Sequence, residues 1–269
     1  MRIIFSLVLF RHSFSEIRPL LLSYYNFLAT CSNCSCTLIV YDGTDLDVSL
    51  VIPNLLNTIL PPDSYTYTHG PNLGFGASHN YNFFSSVVHD DDIFLVVNPD
   101  ISFESSSIYK MVSWFTSSPD VVCLAPLVVS GDHTIQYSVK RNPTVLSLLL
   151  GRFSFLLFFP FLRAYDSYHR NLSYNYRDQI IDSSYLSGCF LMISPVAFRL
   201  IGGFDVSYFL HLEDADLVRS LTLCGRCVHY PFAQVTHLWA RGSHKSLKQQ
   251  LSLVKSLFIY FVKWGFALF

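Results

Sequence analysis

Five consecutive apolar residues, Ile93–Val97, run between the acids Asp90–Asp92 and the turn Asn98-Pro99-Asp100. A run this short and unbroken, stopped by a proline turn, reads as a strand buried on both faces, the condition of a strand in a helix-covered α/β sheet. Two earlier stretches share the pattern. Ile3–Phe10 reads as a first buried strand followed by a helix over Phe14–Leu28, with Pro19 in its first turns. No small-residue cleavage site follows it, which separates it from a signal peptide. Thr37–Tyr41 reads as a second strand, ending at Asp42-Gly43. Open α/β sheets bind ligands at the carboxyl ends of their strands, so Asp42 and Asp100 are candidate ligand contacts. Asp90–Asp92 are expected in a solvated loop. Asp100 has two readings: a turn residue capping a helix from Ser105, or an oxygen ligand to a divalent cation.

Gly188–Asp216 constrains the second half. An apolar strand over Cys189–Ile193 precedes a Gly202-Gly203 turn, the aromatics Tyr208 and Phe209, and the acids Glu213, Asp214 and Asp216. Leu217, Leu221 and Leu223 follow at near-helical spacing, and Gly225 is placed to cap that helix. Acids in a first turn favour the helix dipole by themselves. The double glycine and aromatics before them suggest instead the wall of a pocket. Between the strands Thr37–Tyr41 and Ile93–Val97, Asn72–Asn80 (N-L-G-F-G-A-S-H-N) combines a tight Gly74/Gly76 turn with a helix start whose free N–H groups suit an anion, although a plain loop-to-helix junction has the same signature.

Composition narrows the setting. The 269 residues suffice for one large α/β unit with a C-terminal extension, and the net charge of −1 excludes a strongly basic nucleic-acid binder. Hydrophobic residues make up 51% and charged residues 14%, a lean toward membrane association that stops short of a multi-span protein. After Asp216 no acid follows, while Arg219, Arg226, Arg241, Lys245, Lys248, Lys255 and Lys263 do. The tail from Lys245 carries Leu251, Leu253, Leu257, Phe258, Tyr260, Phe261 and Trp264, and suits an anionic membrane interface or a helix packed on the domain. Thr144–Leu162 is nearly long enough to span a bilayer, but Gly151, Arg152 and Pro160 interrupt it, so a re-entrant or surface-lying helix pair is expected. The seven cysteines are odd in number, which suits a reducing compartment. Cys31/Cys34 and Cys224/Cys227 have C-x-x-C spacing, yet inert thiols are expected over a shared zinc site.

In their order, Asp42, N-L-G-F-G-x-x-x-N, N-P-D, G-C-F-L-M-I, G-G-F-D, Y-F-L-H-L-E-D-A-D-L and His237 resemble the inverting GT-A-fold glycosyltransferases of family 2, most closely bacterial O-antigen rhamnosyltransferases. The likeness extends from Ile3 to about Ser243. It implies an α/β, Rossmann-like mixed sheet flanked by helices, with a C-terminal amphipathic helical tail. Residues 1–128 would be the nucleotide-sugar-binding half, 129–240 the acceptor-binding and catalytic half, and 241–269 a membrane-associating tail. Asp42, Gly74, Gly76, Asn80, Asn98 and Asp100 would serve the donor. Asp100 and His237 would hold Mg²⁺ or Mn²⁺ on the diphosphate, Asp214 would be the catalytic base, and Glu213 and Asp216 would be supporting carboxylates on the acceptor side, one contacting the acceptor and the other orienting the loop. The partners implied are a nucleotide sugar, best matched by dTDP-rhamnose, a polyprenyl-diphosphate-linked saccharide and the cytoplasmic face of a bacterial inner membrane, with no nucleic acid.

The chemistry suits these residue types, since a single displacement needs a carboxylate to take the acceptor proton and positive charge to stabilise the leaving diphosphate. The chain departs from the family's D-x-D pattern at Asn98, and its first strand ends in Phe10-Arg11-His12, with His12 either a nucleotide contact or a surface residue. His237 alone also fits a satisfied histidine near the core. Other readings are a galactosyl or glucosyl transferase, a non-catalytic saccharide-binding partner with the same fold, and an integral membrane protein.

Overall fold

The computed structural model describes residues 1–31, 34–45, 51–238 and 247–269. Arg241 and Lys245 lie outside the described residues, as does the side chain of Lys248. The chain begins with β1 (Arg2–Leu9), α1 (Phe14–Thr30), β2 (Ser35–Asp42), α2 (Val51–Ile59), β3 (Tyr65–His69), α3 (Phe75–Phe84) and β4 (Ile93–Val97). Helix α1 starts where a sequence capping box stands, with the Ser13 N–H donating to the Glu16 carboxylate at 2.7 Å. It buries Ile17, Leu20, Leu21, Tyr24 and Phe27, the i+3/i+4 stripe that lays one face on a sheet. Each of these side chains contributes about 2 kcal/mol on burial.

Next come β5 (Ile101–Phe103), α4 (Ser105–Thr116), β6 (Val121–Val129), β7 (Val139–Lys140), α5 (Val145–Arg152), α6 (Pro160–His169), β8 (Ile181–Asp182) and β9 (Tyr185–Leu186). The chain closes with β10 (Phe190–Ile193), α7 (Pro195–Leu200), α8 (Glu213–Leu221), β11 (Arg226–His237) and α9 (Leu247–Trp264). Nine strands form the main sheet in the order β3-β2-β1-β4-β10-β6-β11-β5, with β8 on β11. β1 to β4 pair in parallel. β10 lies antiparallel between β4 and β6, and β5 runs antiparallel to β11. Because side chains alternate along a strand, Ile3, Phe5 and Leu7 join the core under α1 and α4, while Ile4 joins the core under α3, α7 and α8. Both faces are covered, as the apolar runs require. The expected division after residue 128 falls within β6, so the two halves share one sheet.

Four expectations change. Asp92 is not in a solvated loop: it is buried and accepts from the N–H groups of Arg2 (2.8 Å) and His89 (2.9 Å) and from the Arg2 guanidinium. The charge is tolerated inside because each oxygen has a donor. Gly225 is not a left-handed cap; a side chain there would press to 2.6 Å from Val122, so close packing on β6 demands the glycine. Leu223, expected on the helix stripe, lies beyond the end of α8 and is exposed. Cys31 and Cys34 are joined as a disulfide, whereas Cys227 is buried and Cys224 exposed, and the two C-x-x-C pairs do not meet.

The Thr144–Leu162 stretch forms two short helices separated by a 3₁₀ turn over Ser154–Phe158, with Pro160 opening the second. Phe155, Phe158 and Phe161 on it are exposed. The C-terminus lies against it, with the Val145 and Leu146 N–H groups donating to the carbonyls of Ala267 and Leu268. Along α9, Leu251, Val254, Phe258 and Val262 form an exposed apolar stripe while Tyr260 is buried. Among the described residues no helix is long and apolar enough to cross a membrane.

Candidate active site

The parallel strands deliver their carboxyl ends to one edge of the sheet. Asp42 closes β2, fully buried, its oxygens accepting from the Thr44 N–H (3.0 Å) and hydroxyl (2.5 Å) and from the Tyr67 hydroxyl (3.0 Å). It therefore braces the loop that follows it. His12, just past β1, accepts the Phe10 N–H at 3.0 Å; burial lowers its basicity, against the opposing charges of Glu16, Asp100 and Asp42.

Asp100 and His237 meet because β5 pairs with β11, Ile101 opposite His237. A carboxylate oxygen of Asp100 lies 3.2 Å from His237 Nε2. On the other side of the ring, Nδ1 faces Gln136 Oε1 at 2.9 Å, and Gln136 Nε2 donates to the His237 carbonyl at 3.1 Å. That amide orients the ring: with Nδ1 donating to Gln136, Nε2 faces Asp100, donating to it when the ring is protonated and open to a cation when it is not, the outer arrangement usual around metal-bound histidine. The Asp100 carboxyl is raised by burial, yet the hydrogen bond and charge of His237 outweigh this and hold it below the ordinary carboxylate range. One carboxylate and one imidazole nitrogen suit a divalent cation that also takes phosphate oxygens.

The second set of acids stands at the start of α8. Asp214 accepts the Gly188 N–H at 3.0 Å and the Ala215 N–H at 2.8 Å. A side chain at Gly188 would stand 3.0 Å from Asp214 Cβ and press the acid away from the Gly188 N–H. Glu213 beside it is buried with Oε2 unpartnered. Burial raises both carboxyls, and their mutual repulsion pushes Glu213 further, up to about 8. Two backbone donors, the helix N-terminus and the Lys140 charge favour the anion at Asp214, so Asp214 is the ionised member and Glu213 the protonated one near neutrality.

The two sets are joined through one short segment. The Gly188 N–H binds Asp214, while the carbonyl of the next residue, Cys189, accepts the N–H of Asn98, two residues before Asp100. Asn98 thus has a backbone role at this junction.

The glycine loop holds the segment leading to the acids. Gly74 has φ +87°, and a side chain there would overlap the Phe209 carbonyl; at Gly76 it would lie 2.7 Å from the Phe204 Cβ. The Asn80 amide clasps Phe204 by accepting its N–H and donating to its carbonyl, both at 2.8 Å. Gly74, Gly76 and Asn80 therefore contact the 202–212 turn. That turn ends with His211 (φ 71°) and Leu212 (φ 64°) in the left-handed region, which costs of order 1 kcal/mol each for non-glycine residues.

Asp216, expected as one of the two supporting carboxylates, faces α9. Its buried carboxylate accepts from Lys263 Nζ (2.8 Å), Trp264 Nε1 (2.6 Å) and, at 3.4 Å, the Tyr208 hydroxyl. It ties α9 to α8. The Ser256 hydroxyl of α9 also donates to the Leu210 carbonyl at 2.8 Å, so α9 grips the strained turn on both sides. Gln136, Lys140, Lys263 and Trp264 had no motif to mark them, because their partners lie far along the chain.

No family model matches the chain. It is 29% identical over 209 residues to N-acetylglucosaminyl-diphospho-decaprenol L-rhamnosyltransferase of Mycobacterium tuberculosis, covering 71% of this chain and 64% of that protein. It is 27% identical over 173 residues to rhamnosyltransferase WbbL of Escherichia coli K12, covering 61% and 60%. The chain thus spans about 64% of the length of the first of these relatives. Among solved structures, GalNAc-T7 with UDP, GalNAc and Mn²⁺ aligns with a TM-score of 0.64 at 11% identity, over 98% of this chain and 48% of that one. The mannosyltransferase PcManGT of Pyrobaculum calidifontis, in complex with GDP-Man and Mn²⁺, aligns at 0.59 and 14% identity, over 97% and 63%. The expected GT-A glycosyltransferase fold is the fold of this chain, and its sequence resembles the bacterial rhamnosyltransferases.

Proposed function

We propose that the chain is an inverting glycosyltransferase that moves L-rhamnose from dTDP-rhamnose onto a polyprenyl-diphosphate-linked saccharide in cell-surface polysaccharide assembly. The observation that supports this reading is the Gly188–Cys189 junction, whose backbone bonds both Asp214 and Asn98, two residues before the Asp100 that pairs with His237. Asp214 takes the proton of the acceptor hydroxyl as the new bond forms. The protonated Glu213 next to it adds no second negative charge and can donate a hydrogen bond to the sugar. Asp100 and His237 would hold Mg²⁺ or Mn²⁺, which would supply positive charge to the departing nucleoside diphosphate. Asp42, Asn98 and the glycine loop shape the donor side. The rhamnosyl preference is supported by the names of the two relatives and the lipid-linked acceptor by that of the mycobacterial one.

The exposed apolar stripe of α9 and the aromatics Phe155, Phe158 and Phe161 suit the interface of a bilayer, where such an acceptor resides. In this reading the chain is peripheral, on the cytoplasmic face. The test is metal-dependent release of nucleoside diphosphate from a panel of nucleotide sugars, on membranes carrying lipid-linked GlcNAc. Release from dTDP-rhamnose, lost on chelation and reduced at least about 10³-fold in Asp214→Asn, is expected. A folded protein that binds saccharide and releases no nucleotide from any donor is a binding partner instead.

A further inference from the structure

Outside the two sets of acids, a cleft of about 340 Å³ opens between β7, the end of α6 and the turn before β9, lined by Lys140, Arg141, Asn142, Tyr168, His169 and Ser183 among others. Its charge is positive. Neither Lys140 nor Arg141 has an acidic partner among the described residues, while the Asp182 carboxylate on the same wall is already held by Arg226 at 2.7 Å. The Arg141 guanidinium lies 3.9 Å over the Tyr168 ring and donates through Nε to the Tyr168 carbonyl at 3.1 Å. Stacking fixes its plane, and its terminal nitrogens have no partner among the described residues, the state of an arginine prepared for a phosphate. The Asn142 side-chain oxygen, also in the lining, is buried without a partner.

The cleft has two distinct ends. Lys140 sits opposite Tyr185 in the β7–β9 pair, its ammonium 5.3 Å from that ring. The charge of Asp214 reaches it there, partly countering the effect of burial on the lysine. Phe269, which is exposed, lines the cleft too and gives it an apolar rim, and the residues before it bond to the first turn of α5, the helix that leads to the exposed Phe155 and Phe158. Catalytic carboxylate, paired cations and apolar rim follow one another in the order sugar, diphosphate, prenyl chain.

We propose that this cleft is the acceptor's diphosphate site, with Lys140 and Arg141 on the two phosphoryl groups, the prenyl chain leaving over the apolar rim and the first sugar reaching Asp214. The proposal rests on the transferase reading. The shared chemistry is a phosphate anion on a lipid, which an anionic headgroup also supplies, and the test separates the two.

Titration calorimetry on the full chain would use geranyl diphosphate and inorganic pyrophosphate, with cosedimentation on phosphatidylcholine vesicles containing phosphatidylglycerol as the second arm. Arg141→Met and Lys140→Met are expected to weaken both diphosphates by about tenfold or more, with Arg141→Lys recovering most of the affinity and Mn²⁺-dependent nucleoside diphosphate binding intact. Arg141 is exposed, so its variants stay readable if Lys140→Met does not fold. Unchanged diphosphate affinity in a folded Arg141→Met that still binds nucleotide overturns the site and leaves the transferase standing. Loss of vesicle binding alone overturns it in favour of a headgroup contact. A wild-type chain that binds no nucleoside diphosphate removes the transferase reading and this proposal with it.

Discussion

Asp216→Ala separates a structural tie from an acceptor contact. The substitution removes an anion that accepts from Lys263 at 2.8 Å and Trp264 at 2.6 Å. Hydrogen bonds to a charged group contribute about 1.5–3 kcal/mol each when buried. Lys263 is about one-third exposed and keeps Asp205 at 3.0 Å, so its share is discounted to below about 1 kcal/mol. The indole N–H loses its acceptor, and the Tyr208 hydroxyl at 3.4 Å adds little. The sum is about 2–4 kcal/mol, or a Tm lowered by roughly 5–10 °C for a domain of this size. Asp216→Asn, which keeps an oxygen for Trp264, should lose about half of that. Since α9 also holds the Leu210 carbonyl, loosening it lets the left-handed turn relax and moves Asp214. We expect kcat to fall by about 10–100-fold with the donor KM unchanged. Differential scanning calorimetry and steady-state transfer assays read the two effects. An Asp216→Ala protein with wild-type Tm that has lost transfer as fully as Asp214→Asn would refute the tie and return Asp216 to the acceptor.

Other outcomes follow from the same geometry. Glu213 is neutral in the fold up to about pH 8, far above an ordinary carboxyl. An acid whose folded pKa is raised favours folding at low pH, so stability should decline as pH rises from about 4.5 to 8. Glu213→Gln should flatten that decline in melts taken across the range. Gln136→Leu removes the amide that orients His237 and should weaken Mn²⁺-dependent nucleotide binding by about 10–100-fold in calorimetry, with Asp100→Ala losing more. Phe258→Ser and Phe155→Ser, at exposed positions, should leave Tm unchanged and reduce cosedimentation with anionic vesicles.

The strands were legible where burial on both faces leaves no choice of residue: all of Ile93–Val97 is buried, as an unbroken apolar run implies. Asp100 and Asp214 were legible because they sit at chain-local landmarks, a strand end and a helix start. The resemblance separated Asp214 from Asp216 by role, but the contacts of Asp216 were not legible, since its partners Lys263 and Trp264 lie 47 and 48 residues away. Asp92 was misjudged for a related reason: its donor Arg2 stands 90 residues earlier. The apolar residues of α9 divide between a buried Tyr260 and an outward stripe, a split that composition alone does not contain.

The middle of the sheet is built from late sequence. β10 fills the space between β4 and β6, so a chain emerging from the ribosome has synthesised both of those strands long before their shared neighbour exists. Until Phe190–Ile193 arrives, two apolar strand edges stand open, the state most prone to pairing with other chains. A fragment ending at residue 128 holds β1 to β5 and all but the last residue of β6, and lacks the strand that belongs between β4 and β6. It would be an aggregating peptide rather than a small nucleotide-binding domain.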